Sequence, residues 1–134
     1  MKKDFDTSLC LRTHEDPFAL KMGVKLLELK PGYARLAMEV KPHMVNHLQT
    51  AHGGALSFLA DAALAAAANS HQIPSVVLNL SLNFLSAPPI GAQLTAEAQE
   101  VHLTKRTGHY RLSMVDGEGK LVASGLGIVY RKAG

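Results

Sequence analysis

The sequence predicts an α+β fold: an antiparallel sheet of about five strands wrapped around one long, alanine-rich helix. Three observations carry that expectation. Ala55 to Ala68 is about four turns of unbroken helix former, and its only polar side chains are Ser57 and Asp61. Seven alanines between Ala60 and Ala68 keep this helix thin enough for a sheet to approach closely. Before and after it lie segments where apolar and polar residues alternate, the mark of strands with one buried and one wet face. A helix apolar on every side is a buried helix, so the strands must close around it.

In chain order, residues 1–14 read as a loose N-terminal tail on a single domain spanning 1–134. Asp16 then serves as N-cap and Pro17 as first residue of a short helix through Phe18, Ala19, Leu20 and Met22, which Gly23 ends. Val24 to Leu29 is a strand, and Pro31-Gly32 turns the chain. Tyr33 to Val40 sets Ala34, Leu36, Met38 and Val40 against Arg35, Ala37 and Glu39; Pro42 breaks it, and a loop leads to the central helix. Ser75 to Leu85 is a long strand, with Val76, Leu78, Leu80, Leu82 and Phe84 on one face and Asn79, Ser81 and Asn83 on the other. Pro88-Pro89 and Gly91 make the next turn. Ala92 to Leu103, Tyr110 to Val115 and Leu121 to Tyr130 follow as a three-stranded meander, with turns at Lys105-Arg106 and Asp116-Gly117. A sheet curved around one helix leaves that helix open on one side, and a second copy related by two-fold symmetry is the simplest cover.

A chain of 134 residues can bury a real core but not two. The net charge of +3 is spread over single and paired basic residues, with no Trp, which suits a small anionic ligand better than nucleic acid. Cys10 is the sole cysteine, so an intramolecular disulfide and a cysteine-built zinc site are both ruled out. The N-terminal MKKDFDTSL lacks the apolar stretch of a signal peptide, and Ala62 to Ala68 is too short to span a bilayer. A cytoplasmic protein with no membrane partner is expected.

Chemistry concentrates in residues 46–61. Gly53-Gly54 opens the central helix, where free N–H groups meet the positive end of the dipole and a carbonyl oxygen can come close. The plainer alternative is that the glycines only allow a tight turn. Asp61 is a carboxylate in mid-helix with no Lys or Arg within a turn, and an unpaired buried charge is costly. It lies eight residues beyond Gly53, about 12 Å along the axis, so one carbonyl cannot meet both in the same chain. A partner chain could supply the second group, which puts the site at a dimer interface. Asn46 can donate to and accept from a water or a carbonyl. His43, His47 and His52 are spaced for metal ligands, but Pro42 and the glycines deny them a regular scaffold, and no metal is expected. His52 more simply orients the loop, and His14, His71, His102 and His109 read as surface or turn residues. A G-x-S-x-G elbow, a supported Cys/His pair and a phosphate-binding glycine loop are all missing. Lys105 and Arg106, with Arg111 nearby in sequence, form the one basic cluster, either a phosphate contact or a solvated turn.

The run Asn46-x5-His52-Gly53-Gly54-x6-Asp61, together with Leu59-Ala60-Asp61, Asn83-Phe84-Leu85 before the Pro-rich turn, and Gly119 to Ala123, resembles the hotdog-fold acyl-CoA thioesterases of the PaaI type over residues 15–131. The resemblance implies that Asp61 is the catalytic carboxylate, acting as nucleophile or as general base for water. It implies that the Gly53 amide polarises the thioester carbonyl and that Asn46, supported by His52, positions carbonyl or water. Asn46 and Gly53 would come from one subunit and Asp61 from the other, in a homodimer or a dimer of dimers. Gly54, Val77, Lys105 and Arg106 would bind the substrate, the two basic residues facing the phosphates of coenzyme A, which enters as part of the substrate and not as a cofactor. Two departures stand out. Such proteins usually have Gly three residues after the Asn, where this chain has Gln49, and many carry Ser or Thr where this chain has Val77, with Ser75 two residues earlier. The acyl pocket is expected between helix and sheet across the dimer, lined by residues such as Leu56, Phe58, Leu59 and the Val76–Phe84 strand, which suggests a small-to-medium apolar or aryl acyl group. The alternative is a non-catalytic acyl-CoA binder, which has no need of a buried carboxylate. An enoyl-thioester hydratase would want an Asp and His paired near the helix start.

Overall fold

The structure, a computed structural model, describes residues 13–132. Helix α1 (Pro17–Met22) is followed by β1 (Lys25–Lys30), β2 (Tyr33–Glu39), a 3-10 turn (Pro42–Met44), the central helix α2 (Gly53–Asn69), β3 (Ser75–Phe84), β4 (Gln93–Leu103), β5 (Thr107–Val115) and β6 (Leu121–Arg131). The caps of α1 are those its sequence dictates: the Asp16 carboxylate accepts from the Ala19 N–H at 2.8 Å, and Gly23 closes the helix at φ 73°. Most of the expected 1–14 tail lies outside the described residues. His14, however, is buried against the fold and is no surface residue.

The α+β class and the single wrapped helix are as expected, and the sheet has six strands in the order β1-β2-β4-β5-β6-β3, all antiparallel. The meander is β4–β5–β6. Although β3 precedes β4 in sequence, it forms no hairpin with it; it pairs with β6 at the opposite edge. Alternation along a segment announces a strand but not its neighbour, and the Pro88-Pro89 connection carries the chain back across the sheet.

A second difference lies within β3. A bulge between Val77 and Asn79 shifts the register against β6. Beyond it Leu80 and Leu82 pack toward the core as expected, but before it the phase inverts: Val77 turns inward, while Val76 and Leu78 are exposed.

Helix α2 packs into the concave side of the sheet against buried residues of β2, β4, β5 and β6, among them Leu36, Leu94, Leu112 and Val129. Leu64 fits where Gly127 of β6 has no side chain; a Cβ there would lie 2.5 Å from Leu64 Cδ2. Cutting fully buried Leu64 to Ala would cost about 2–5 kcal/mol. Eleven residues of α2 are buried, whereas Gly54, Ser57, Phe58, Asp61 and Ala65, spaced three or four apart, form one half-open stripe. Asp61 sits in the middle of it.

The C-terminal end of α2 is tied to the β1–β2 turn, where the Gly32 N–H donates to Ser70 Oγ at 2.8 Å. Nearby, His71 Nε2 lies 2.5 Å from Glu100 Oε1, so His71 is a partner within the fold and no free turn residue.

Candidate active site

The loop ahead of α2 is fastened from both sides. Val45 bridges Ala51, Thr50 bridges Pro89, and the Ala51 N–H donates to the Pro88 carbonyl at 2.8 Å. Inside it, Asn46 Oδ1 accepts from the Leu48 N–H at 2.9 Å, the Thr50 N–H at 3.2 Å and the Thr50 hydroxyl at 3.3 Å. Only an oxygen can face three donors. The side chain is thus held with its Nδ2 amide outside these bonds, so Asn46 has a donor to offer but no oxygen. At Gln49 the backbone takes φ 65°. That is the left-handed region that favours glycine, the residue the resemblance leads one to expect here.

His52 is the N-cap of α2, and its Nδ1 accepts from the Gly54 N–H at 3.0 Å. An accepting Nδ1 places the ring proton on Nε2. The Ala55 and Leu56 N–H groups both donate to the His52 carbonyl, at 2.9 and 3.2 Å. The His52 N–H itself donates to the Met44 carbonyl at 2.7 Å, so of the four orphan donors at this helix end those of His52, Gly54 and Ala55 are used and, among the described residues, the Gly53 N–H is the one left over. Neither Gly53 nor Gly54 has positive φ, so a tight turn does not explain them. A Cβ on Gly53 would touch only the Phe84 ring, at an ordinary 3.6 Å. The fold would accept a side chain at residue 53; the open space above its amide is what a glycine preserves.

Asp61 makes no hydrogen bond or ion pair among the described residues. Burial, and secondarily the Asp16 carboxylate, push its pKa above the ordinary aspartate value. Asp16 approaches because α1 packs over the half-open stripe, with Phe18 edge-on to Phe58 at 4.4 Å between ring centroids.

The structure gathers Asn46, His52, Gly53 and Gly54 at one end of α2 and leaves Asp61 about 12 Å along the same axis. Lys105 and Arg106 are exposed at the β4–β5 turn. That turn lies just beyond Glu100, whose N–H donates to the Gly32 carbonyl, so it belongs to the C-terminal end of α2, far from Gly53 of the same chain. Arg106 reaches Tyr130 Oη at 3.3 Å. Val77 is half-buried, and the Ser75 hydroxyl is engaged by the Ile73 carbonyl at 2.9 Å, beside Asn69 at the end of the helix. Ser75 is thus committed to the strand start.

Within one chain Leu56 and Leu59, 2% and 0% exposed, leave no opening between helix and sheet. A cavity of about 480 Å³ opens instead at the N-terminal end of α2, beneath α1, where it touches His52 and Gly54. No pattern of residues announces it, since it is formed by packing a six-residue helix against a turn.

Residues 48–123 match the model of the thioesterase superfamily. The acyl-coenzyme A thioesterase PaaI of Escherichia coli is 36% identical over 119 residues, covering 89% of this chain and 85% of that protein. Its structure superposes with a TM-score of 0.87, covering 95% of this chain and 98% of that one. The TT0310 protein of Thermus thermophilus is 44% identical with a TM-score of 0.83, covering 87% of this chain and 97% of that one. A Streptococcus pneumoniae protein described as a hypothetical thioesterase, solved with coenzyme A, shares the fold at a TM-score of 0.85 and 22% identity, covering 92% of this chain and 96% of that one. The chain belongs to the thioesterase superfamily and is a PaaI-like member of it with the hotdog fold.

Proposed function

We propose that the chain is an acyl-CoA thioesterase that cleaves the thioester of an apolar acyl-CoA to free acid and coenzyme A. The observation that carries this is the pairing of one unused helix N-terminal N–H, at Gly53, with one unpartnered half-buried carboxylate, at Asp61. Thioester hydrolysis needs a donor for the oxyanion and a base for water, and among the described residues this N–H and this carboxylate have no other partner.

The carbonyl oxygen sits at the Gly53 N–H, with Asn46 Nδ2 as a further donor to carbonyl or water. His52 acts indirectly: by taking the Gly54 N–H it fixes the first turn and leaves Gly53 as the free donor. Asp61 of the partner chain removes a proton from water as the water oxygen bonds to the carbonyl carbon. The tetrahedral oxyanion collapses, the C–S bond breaks, and the proton passes to the departing thiolate. The raised pKa makes Asp61 a stronger base than a free aspartate and equally a stronger nucleophile, so direct attack by the carboxylate is the second route. A single turnover in ¹⁸O-water reveals direct attack when water opens the resulting anhydride at the Asp61 carbon, because the acid then leaves unlabelled and the label stays on Asp61.

The spacing along α2 supports a shared site in a homodimer. So does β3, a ten-residue edge strand that leaves Val76 and Leu78 exposed with one side unpaired, an open template for a second copy. Such a partner brings its own Lys105 and Arg106 toward this chain's Gly53, where they meet the CoA phosphates. The outer sheet face, with exposed Val101 and Leu126 around a groove of about 270 Å³, offers the surface for a dimer of dimers. The test is thiol release from a panel of acyl-CoAs by wild type and Asp61→Ala. Release that falls at least about a hundredfold in the variant upholds the reading; CoA thioesters that bind without being cleaved overturn it in favour of a binding protein.

A further inference from the structure

Resting on that reading, we infer that the cavity beneath α1 is the acyl subsite, and that Met22, Met44 and Val45 set the size of acyl group the enzyme accepts. A thioester carbonyl held at the Gly53 N–H has two substituents, sulfur and acyl, and each needs a path away from the helix end. Within one chain the space between α2 and the sheet admits neither, because Leu56 and Leu59 fill it. The cavity that touches Gly54 and His52 is open to the acyl group. Phe18 stands at its mouth, 57% exposed, while Met22 and Met44, 8% and 3% exposed, form the floor, with half-buried Val45 as a wall.

The lining names the chemistry of the ligand. Its polar side chains are His52, already committed to the Gly54 N–H, and exposed Lys21 and His43 at the rim; none of the residues lining it is a carboxylate. A charged or strongly hydrated acyl tail would lose its water without compensation at the methionine floor. The subsite therefore takes uncharged apolar acyl groups. Unbranched methionine side chains adjust to irregular shapes, so acyl length should be limited gradually. Met44 is held more firmly than Met22, since the Lys41 N–H donates to its sulfur at 3.5 Å.

The experiment measures kcat/KM for butyryl-, octanoyl- and dodecanoyl-CoA, and inhibition by free CoA, in wild type, Met44→Ala and Val45→Phe. Met44→Ala deepens the floor and should raise the dodecanoyl-to-butyryl ratio at least about tenfold; Val45→Phe narrows the wall and should lower it by a similar factor. Free CoA has no acyl group, so its inhibition constant stays unchanged. A merely structural role would depress all three substrates alike. Met44→Leu keeps volume and guards against a folding failure of the alanine variant: it should hold the wild-type ratio at short lengths and reject dodecanoyl-CoA more sharply. Ratios that stay fixed in every variant, while wild type cleaves acyl-CoA, overturn the subsite alone. Wild type that cleaves no acyl-CoA overturns the thioesterase reading and the subsite with it.

Discussion

Gly53→Pro removes the proposed oxyanion donor while asking nothing new of the fold. Gly53 is the first residue of α2, a position where proline is favoured because its missing N–H has no helical partner. The Gly54 and Ala55 N–H groups go to His52 and the His52 N–H goes to the Met44 carbonyl, so the substitution breaks no bond of the native structure. Proline also restricts the residue before it to extended backbone, and His52 already lies at φ −66°, ψ 139°. A Cβ at residue 53 meets the Phe84 ring at 3.6 Å, an ordinary contact. Stability should therefore change by no more than about 1 kcal/mol, a melting shift of a few degrees at this size. Loss of one oxyanion donor costs about 2.7–4 kcal/mol of transition-state stabilisation, a fall in kcat of about 10²–10³. The assay is thiol release alongside a thermal melt, with Gly53→Ala as the control that keeps the N–H. A Gly53→Pro enzyme that folds and keeps kcat within about threefold of wild type would show that this amide is not the donor. A collapsed melt would refute the claim that the fold does not use it.

Three further outcomes follow from the same geometry. Gln49→Gly should stabilise the protein by roughly 0.5–1 kcal/mol in a denaturant titration, because relief of a left-handed non-glycine backbone, about 1–2 kcal/mol, outweighs the added freedom of the unfolded chain; destabilisation would mean the loop does not hold that conformation. Asp61→Asn should raise the melting temperature at neutral pH. The folded pKa of Asp61 lies above its unfolded value, so ionisation costs stability as pH rises through that window, and the advantage of Asn should vanish below the ordinary value of 3.8; an advantage that persists at low pH would remove burial of charge as its cause. Lys105→Ala with Arg106→Ala should raise KM for acyl-CoA about three- to tenfold, as two exposed charges allow, and leave KM for the same acyl group on N-acetylcysteamine unchanged; equal effects on both would separate the hairpin from the phosphates.

How far the fold was legible depends on where the information lies. The central helix was readable because its alanine run has one explanation, and α1 because Asp16, Pro17 and Gly23 act locally. Pairing was not, since β3 joins β6 through contacts that no local pattern encodes. One bulge residue was enough to turn Val76 and Leu78 out and Val77 in. At the site, the oddity of Asp61 and the glycine pair was visible in the sequence. That Asn46 offers only its Nδ2, that His52 takes the Gly54 N–H, and that the open cavity lies beneath α1 were settled by loop hydrogen bonds and helix packing, which spacing does not reveal.

The central claim is that each site joins Gly53 of one chain to Asp61 of another. Mixing Gly53→Pro with Asp61→Ala under conditions that exchange subunits tests it most directly. Each variant alone should be nearly inactive. In an equal mixture half the dimers pair the two variants, and each of those holds one intact site, so activity should recover to about a quarter of wild type. Mixed dimers that form, as seen by mass spectrometry, yet remain inactive would contradict the account.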